Sequence, residues 1–387
     1  MDRTSKPASG RSALRACLAL MALGLGIASL PAGADEVRPQ ARKNIDLAIC
    51  LDVSNSMDGL IASAKSKLWD IVNELAKIKP MPNLRVALFS YGNDRYNPKI
   101  GWIKKDLDLT TDLDALYQKL FGLTTLGGTE YVTRVCRDAV EQLDWSKDKN
   151  ALKIIFVCGN EPASQDPVVK LKEAADKAKA KGIVINPIFC GNPNHPDARD
   201  WKEFAALCGG RFASIDQDKN VVIATPMDKE LAELSAKVAS TYVCYGKMGQ
   251  EKAANQLAQD KNSVTAGLGV AAERALSKAN GIYRCEDWDL VDRVKSDPKF
   301  DIRKVPEKEL PEALRKMTLD QRVAHVKKLT TERETLQKQI LTLSNQRTVY
   351  INEELRRNPS AAAQAFNTAV RATLRDQAKG KGIVIPE

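Results

Sequence analysis

Aromatic side chains are scarce in this chain. Phe, Trp and Tyr together supply 5% of its 387 residues, and histidine occurs only at His195 and His325. Few rings are therefore available to stack nucleobases. The 59 basic and 49 acidic residues are interspersed, with no run of six like charges. Nucleic-acid binding calls for a clustered basic stripe with stacking aromatics, so no nucleic-acid partner is expected. Cys-x-x-Cys is absent, which removes the signature of a structural zinc site or a thioredoxin-like redox centre. No apolar run beyond the N-terminal leader approaches the roughly 20 residues of a membrane-spanning helix. No internal repeat of solenoid length is present.

The N-terminus has the layout of a secretory leader. Arg3, Lys6, Arg11 and Arg15 precede the apolar stretch Ala16–Leu30, and Ala32-Gly33-Ala34 supplies small residues for cleavage. Residues 1–34 are expected to be removed before Asp35, giving an exported protein that is periplasmic if the cell has an outer membrane. An uncleaved anchor is the alternative, but the stretch is short for a span. Removing the leader's net +3 from the chain's +10 leaves +7, a modest preference for acidic partners. Seven cysteines remain. Cys50, Cys158 and Cys190 fall in or beside apolar strands and read as small buried hydrophobes. Cys208 ends the helix after Cys190's strand, at the opposite edge. Cys244 and Cys285 flank a helical excursion and form the expected disulfide, in a compartment that permits one.

From Asn44 strand and helix patterns alternate. Strands are predicted at Ile45–Asp52, Leu84–Tyr91, Gly101–Leu107, Leu152–Val157, Gly182–Cys190 and Arg211–Ile215, with helices over 57–78, 112–120, 130–143, 165–181, 197–208 and 227–240. Alternation at these lengths predicts an α/β fold with a doubly wound, mostly parallel six-stranded sheet. The polar third strand suits an antiparallel edge. After about residue 244 strand signals stop, and helices are predicted over 250–259, 263–279, 319–357 and 361–378, with Pro359 closing the long one.

The most informative segment follows the first strand. Asp52-Val53-Ser54-Asn55-Ser56 places one carboxylate and two hydroxyls at alternate positions in a strand-to-helix turn. That turn lies at the carboxyl edge of the sheet, where open α/β folds bind ligands. Three converging oxygens suit a hard divalent cation. A single serine here also serves as a helix N-cap, but capping needs neither the second serine nor Asp52. Thr124-Thr125-Leu126-Gly127-Gly128-Thr129-Glu130 then ends a loop and opens a helix, offering Thr129 as another hydroxyl.

Together these motifs resemble the von Willebrand factor type A domain and its metal-ion-dependent adhesion site (MIDAS), over about residues 43–243. The resemblance implies a Rossmann-like sheet and a divalent cation, Mg²⁺ first with Mn²⁺ or Ca²⁺ as alternatives, held by Asp52, Ser54, Ser56 and Thr129. It also implies a partner protein that offers a carboxylate to the ion. The family's Asp after the fourth strand is replaced here: Gly159 stands in its position, with Asn160 and Glu161 next to it. Weaker cation binding is expected, and Gly159→Asp is expected to raise affinity.

His195 lies in Asn192-Pro193-Asn194-His195-Pro196-Asp197, read as an Asn-Pro turn with Asp197 as helix N-cap. His325 has no partner motif. Within 319–357, Val326, Leu329, Leu336, Ile340, Leu343 and Tyr350 keep a coiled-coil-like spacing, interrupted by Arg333 and Arg347, which would weaken a free dimer. An intramolecular bundle is expected for region 244–387, a homodimeric coiled coil being the alternative. The function expected is an exported, metal-dependent binding, adhesion or complex-assembly module and not an enzyme. A structural protein with a degenerate, metal-free site is the alternative. A metal-assisted hydrolase would have only Glu161 to act as base.

Overall fold

The computed structural model describes residues 42–57, 61, 71–215, 223–357 and 362–386, the last by backbone alone over 362–370. The leader, most of the first expected helix and Pro359 lie outside the described residues. Six strands form one sheet in the order β3-β2-β1-β4-β5-β6. β1 (Asn44–Asp52) is central and pairs in parallel with β2 (Asn83–Tyr91) and β4 (Leu152–Gly159). β5 (Val184–Phe189) and β6 (Ala213–Ser214) continue the parallel order, and β3 (Ile103–Thr110) closes the other edge antiparallel to β2. Every β1 residue from Ile45 to Asp52 is buried, as two covered faces require. β3 instead carries Lys104, Lys105, Asp106 and Asp108, charges that suit an edge strand. β6 is shorter than its predicted span, reaching two residues before the chain leaves the sheet.

Helices α1 (Leu113–Phe121), α2 (Val132–Gln142), α3 (Leu171–Ala180) and α4 (Ala198–Cys208) fill the connections. α3 starts six residues later than predicted, because Pro167 and an Asp166 carboxylate that accepts the Val168 N–H (2.8 Å) hold the chain in a turn. Alternation along β1 splits the core. Ala48 and Cys50 face a cluster roofed by α2, α3 and α4, including Val135, Ala175, Trp201 and Phe204. Ile45, Leu47, Ile49 and Leu51 face the other, with Leu116 and Tyr117 of α1. That second cluster also holds Trp288, Leu374, Ile383 and Ile385 from the far end of the chain.

The region after the sheet consists of α5 (Asp228–Ala239), α6 (Gly249–Ala266), α7 (Leu268–Ala279), α8 (Leu290–Ser296), α9 (Leu319–Arg357) and α10 (Ala362–Lys379). The break predicted near residue 260 falls at Gly267, whose φ of 131° ends α6. The α9 stripe packs within the chain: Leu336, Ile340 and Leu343 on α5 and α7, and Val326 and Leu329 on Val243, Leu290 and Ile302. The two seam arginines are anchors here. Arg333, 2% exposed, donates to Asp289 (2.6 Å), Asp292 (2.7 Å) and both oxygens of Thr241, and lies 3.8 Å above the Tyr242 ring. Arg347 donates to Asp228 (2.7 Å) and Glu273 (2.5 Å). No described helix is long and apolar enough to cross a membrane.

The expected Cys244–Cys285 disulfide is absent, and all seven described cysteines are free thiols. An antiparallel bridge sets Cys244 opposite Asp289, and the Asp289 and Trp288 N–H groups donate to the Cys285 carbonyl. Burial pushes the Cys285 thiol well above its ordinary range, so it stays protonated and unreactive.

Replacing Arg333 by Met would leave Asp289 buried beside Asp292 without a counter-charge. Denaturant unfolding should show a loss of about 3–5 kcal/mol. Arg293→Met, which removes a pair exposed by 37% and 38%, should cost less than about 1 kcal/mol.

Candidate metal centre

The turn after β1 is built around its aspartate. Asp52 is fully buried, and its Oδ1 accepts the Ser54 N–H at 2.8 Å. The Val53 N–H donates to the Tyr91 carbonyl (2.9 Å), carrying sheet pairing one residue past the strand. Ser54 Oγ and Ser56 Oγ lie 2.9 Å apart, and Ser56 Oγ donates to Asn160 Oδ1 at 3.0 Å. The two hydroxyls therefore do converge, and the β4 loop meets them through Asn160.

The Gly-Gly-Thr loop is stitched to this turn by its backbone. The Leu126 N–H donates to the Val53 carbonyl (3.0 Å), and the Asn55 N–H to the Gly127 carbonyl (2.9 Å). Gly127 has φ 101°, and a Cβ there would meet the Asp94 side chain at 2.5 Å, so no other residue fits this position. Thr129 is partly buried two residues on, at the same edge of the sheet. Two participants escape a sequence reading. A Cβ on Gly92 (φ 82°) would lie 2.9 Å from Asp52 Oδ1, 3.0 Å from Glu130 Cγ and 3.5 Å from Ser54 Cβ. Glu130, expected merely to open a helix, is thus buried against the turn, where Gln165 Nε2 donates to its carbonyl (2.7 Å) and carboxylate (3.1 Å).

This edge carries negative charge that the described residues do not neutralise. Asp52 Oδ2 is buried with no hydrogen-bond partner among them. Burial pushes the Asp52 carboxyl up to about 7, with the charges of Glu130 and Glu161 adding to the rise and Ser54 opposing it. Burial likewise raises Glu130, and Glu161 adds to that effect. An orphaned carboxylate oxygen beside hydroxyls and two further acids fits a hard dication. The described residues contain no group of three or more His, Cys, Asp or Glu placed to share a metal.

Residues 46–231 match the von Willebrand factor type A domain family. The chain carries a von Willebrand factor type A domain. Solved structures similar to it include proximal thread matrix protein 1 from the mussel byssus with a zinc-occupied MIDAS motif, at 13% identity and TM-score 0.35, covering 46% of this chain and 43% of that one. The pilus adhesin SpaC from Lactobacillus rhamnosus GG gives 13%, 0.35, 46% and 29% in the same order. A von Willebrand factor type A protein from Catenulispora acidiphila gives 16%, 0.36, 46% and 40%. The chain spans less than half the length of each. No curated protein matches it.

Within the domain, position 159 is closed. A Cβ on Gly159 would meet Tyr91 Oη at 2.5 Å, Asp52 Oδ2 at 3.1 Å and the fully buried Trp201 at 3.1 Å. Tyr91 Oη donates to the Cys158 carbonyl (2.9 Å), and Trp201 Nε1 to that of Glu161 (2.7 Å). The expectation that Gly159→Asp restores a ligand is therefore corrected: packing, with a φ that is not positive, is the obstacle. Asn160, through Ser56, occupies the approach instead. His195 stacks on Phe189 with ring centroids 6.3 Å apart and lies 3.3 Å from Asp197. Asp197 holds the N-cap position of α4 without a side-chain capping bond.

Two outcomes follow from this geometry. Gly159→Asp should lower stability by about 1–3 kcal/mol through overpacking, with partial recovery when combined with Tyr91→Phe, as read by thermal unfolding. A carboxyl raised to about 7 from 3.8 contributes stability that is fully present below pH 4 and lost as pH climbs through 7, roughly 4 kcal/mol in all. In chelator the unfolding temperature should accordingly fall as pH rises over this window, and Asp52→Asn should flatten that dependence.

Proposed function

We propose that the protein is an exported, divalent-cation-dependent protein-binding module. Domains of the von Willebrand factor type A family in general mediate protein–protein interaction or adhesion. The single observation that carries the metal dependence is the buried, unpartnered Oδ2 of Asp52. Asp52, Ser54, Ser56 and Thr129 would hold the ion, with Asn160 contributing its amide oxygen directly or through water, and Glu130 and Glu161 adding charge from behind. The ion would supply an open coordination position for a carboxylate of the partner. Mg²⁺ is the first choice, Mn²⁺ or Ca²⁺ the alternatives. With no carboxylate at position 159, the shell has one negative charge fewer than its family's, so the ion binds weakly on its own. Ion and partner then strengthen each other's binding by the same factor. The leader-like composition of residues 1–34 supports export.

One observation favours a second reading, a structural domain whose site stays metal-free: Tyr91 and Trp201 fill the place of the missing ligand. Calorimetry separates the two. Mg²⁺ should bind the wild-type protein and not Asp52→Ala, whose circular dichroism should remain native, and chelator should release captured partners in a pull-down. Equal Mg²⁺ affinity for both proteins, or none for either, would remove the cation from the function.

A further inference from the structure

A cleft of about 410 Å³ lies beside the candidate centre, walled by Asn93, Arg95, Tyr96, Lys104, Asp106 and Lys119. Its floor is satisfied. The Asp106 side chain, 2% exposed, pairs with Lys104 (2.7 Å) and accepts the Ser90 hydroxyl (2.5 Å), and Ser90 also bonds Tyr96 Oη (2.8 Å). Its rim is not. Arg95 and Lys119 are exposed and have no ion pair among the described residues. Three cations thus face one acid that is already engaged. Lys119 lies in the last turn of α1, where its charge suits the helix dipole. Arg95 has no such role: its N–H donates to the Asn93 side chain at 3.1 Å, and the residue is exposed and lines the cleft.

The cleft shares its walls with the centre. Asn93 directly follows Gly92, the residue that touches Asp52, and its Nδ2 donates to the carbonyl of Thr124 (3.0 Å), where the Gly-Gly-Thr loop begins. Gly92 and Asn93 are consecutive, so their Cα atoms lie about 3.8 Å apart. In an extended peptide, side chains two apart share a face at about 6.6 Å.

We propose that the cleft receives a second acidic side chain of the same partner segment. One carboxylate would meet the cation at Asp52, and another, two or three residues away, would meet Arg95 and Lys119. Arginine accepts a carboxylate through two parallel hydrogen bonds. The partner class is therefore a protein segment with acidic residues at alternate positions. Bases are a poor fit, because Tyr96 is the one ring among the lining residues and its hydroxyl is tied to Ser90. The inference rests on the reading above that a cation at Asp52 takes a partner carboxylate.

The test uses a short fluorescein-labelled peptide of alternating Glu and Ser, a Gln–Ser peptide as control, and the double variant Arg95→Gln/Lys119→Gln. In Mg²⁺ the wild-type protein should bind the Glu–Ser peptide and not the control. The double variant should bind it roughly fivefold or more weakly while its calorimetric Mg²⁺ affinity stays at the wild-type value. Wild-type peptide affinity in the double variant, with dependence on Mg²⁺ and Asp52 intact, overturns the cleft and leaves the cation reading standing. Absence of Mg²⁺ binding by the wild-type protein overturns the cation reading, and the two-point proposal with it. No preference for Glu–Ser over Gln–Ser also overturns the proposal. So does an oligothymidylate that competes as well as the peptide at equal charge, which would reassign the cleft to nucleic acid.

Discussion

A carboxylate held out of water with one oxygen unpartnered is the constraint around which the sheet edge is arranged. Asp52 ends a central strand that pairs with β2 along its whole length and with β4 as far as Leu51, so its position is fixed by backbone pairing as well as by the Ser54 N–H. A buried charge without full compensation normally costs several kcal/mol. The surroundings keep it in place because every nearby element is itself anchored: Val53 to β2, Asn55 to the Gly-Gly-Thr loop, Asn160 to Ser56. Rigid support of this kind is what a binding constellation needs, and it explains why glycine occupies positions 92 and 127, where other side chains would strike Asp52 or Asp94.

The strands and the two recognition motifs were legible in the sequence because each is local. β1 is a continuous apolar run, and the hydroxyls of Ser54 and Ser56 are brought together by the turn that contains them. What the sequence hid are meetings between distant segments. Nothing near Glu130 announces that it will lie against Ser54 and Gly92, and nothing near Gly159 announces that Tyr91 and Trp201 will fill its place. Arg333 and Arg347 illustrate the same limit. Their spacing along α9 was readable, but the acids that turn them into anchors come from α5, α7 and α8. Compartment and position alone favour pairing Cys244 with Cys285, while the fold sets Cys244 opposite Asp289 and leaves both thiols free.

The helical region is joined to the sheet by ionic contacts as well as by apolar packing. Arg274 of α7 donates to Asp114 of α1 (2.8 Å) and Asp260 of α6 (2.5 Å), and Tyr283 donates to Asp114. Fully buried Lys278 shares Asp260 (2.8 Å). Such a network specifies one seating of the helices, because any slip would strand a charge in a dry interior. Asn186 of β5 and Gln377 of α10 add two amide hydrogen bonds at 3.1 and 2.8 Å.

The placement of Ile383 and Ile385 in the cluster under β1 ties the segment around them to the sheet's own core. Fraying of that segment uncovers part of the cluster to which Ile45, Leu47 and Ile49 belong, so local opening there and loosening of the sheet's packing are one coupled event.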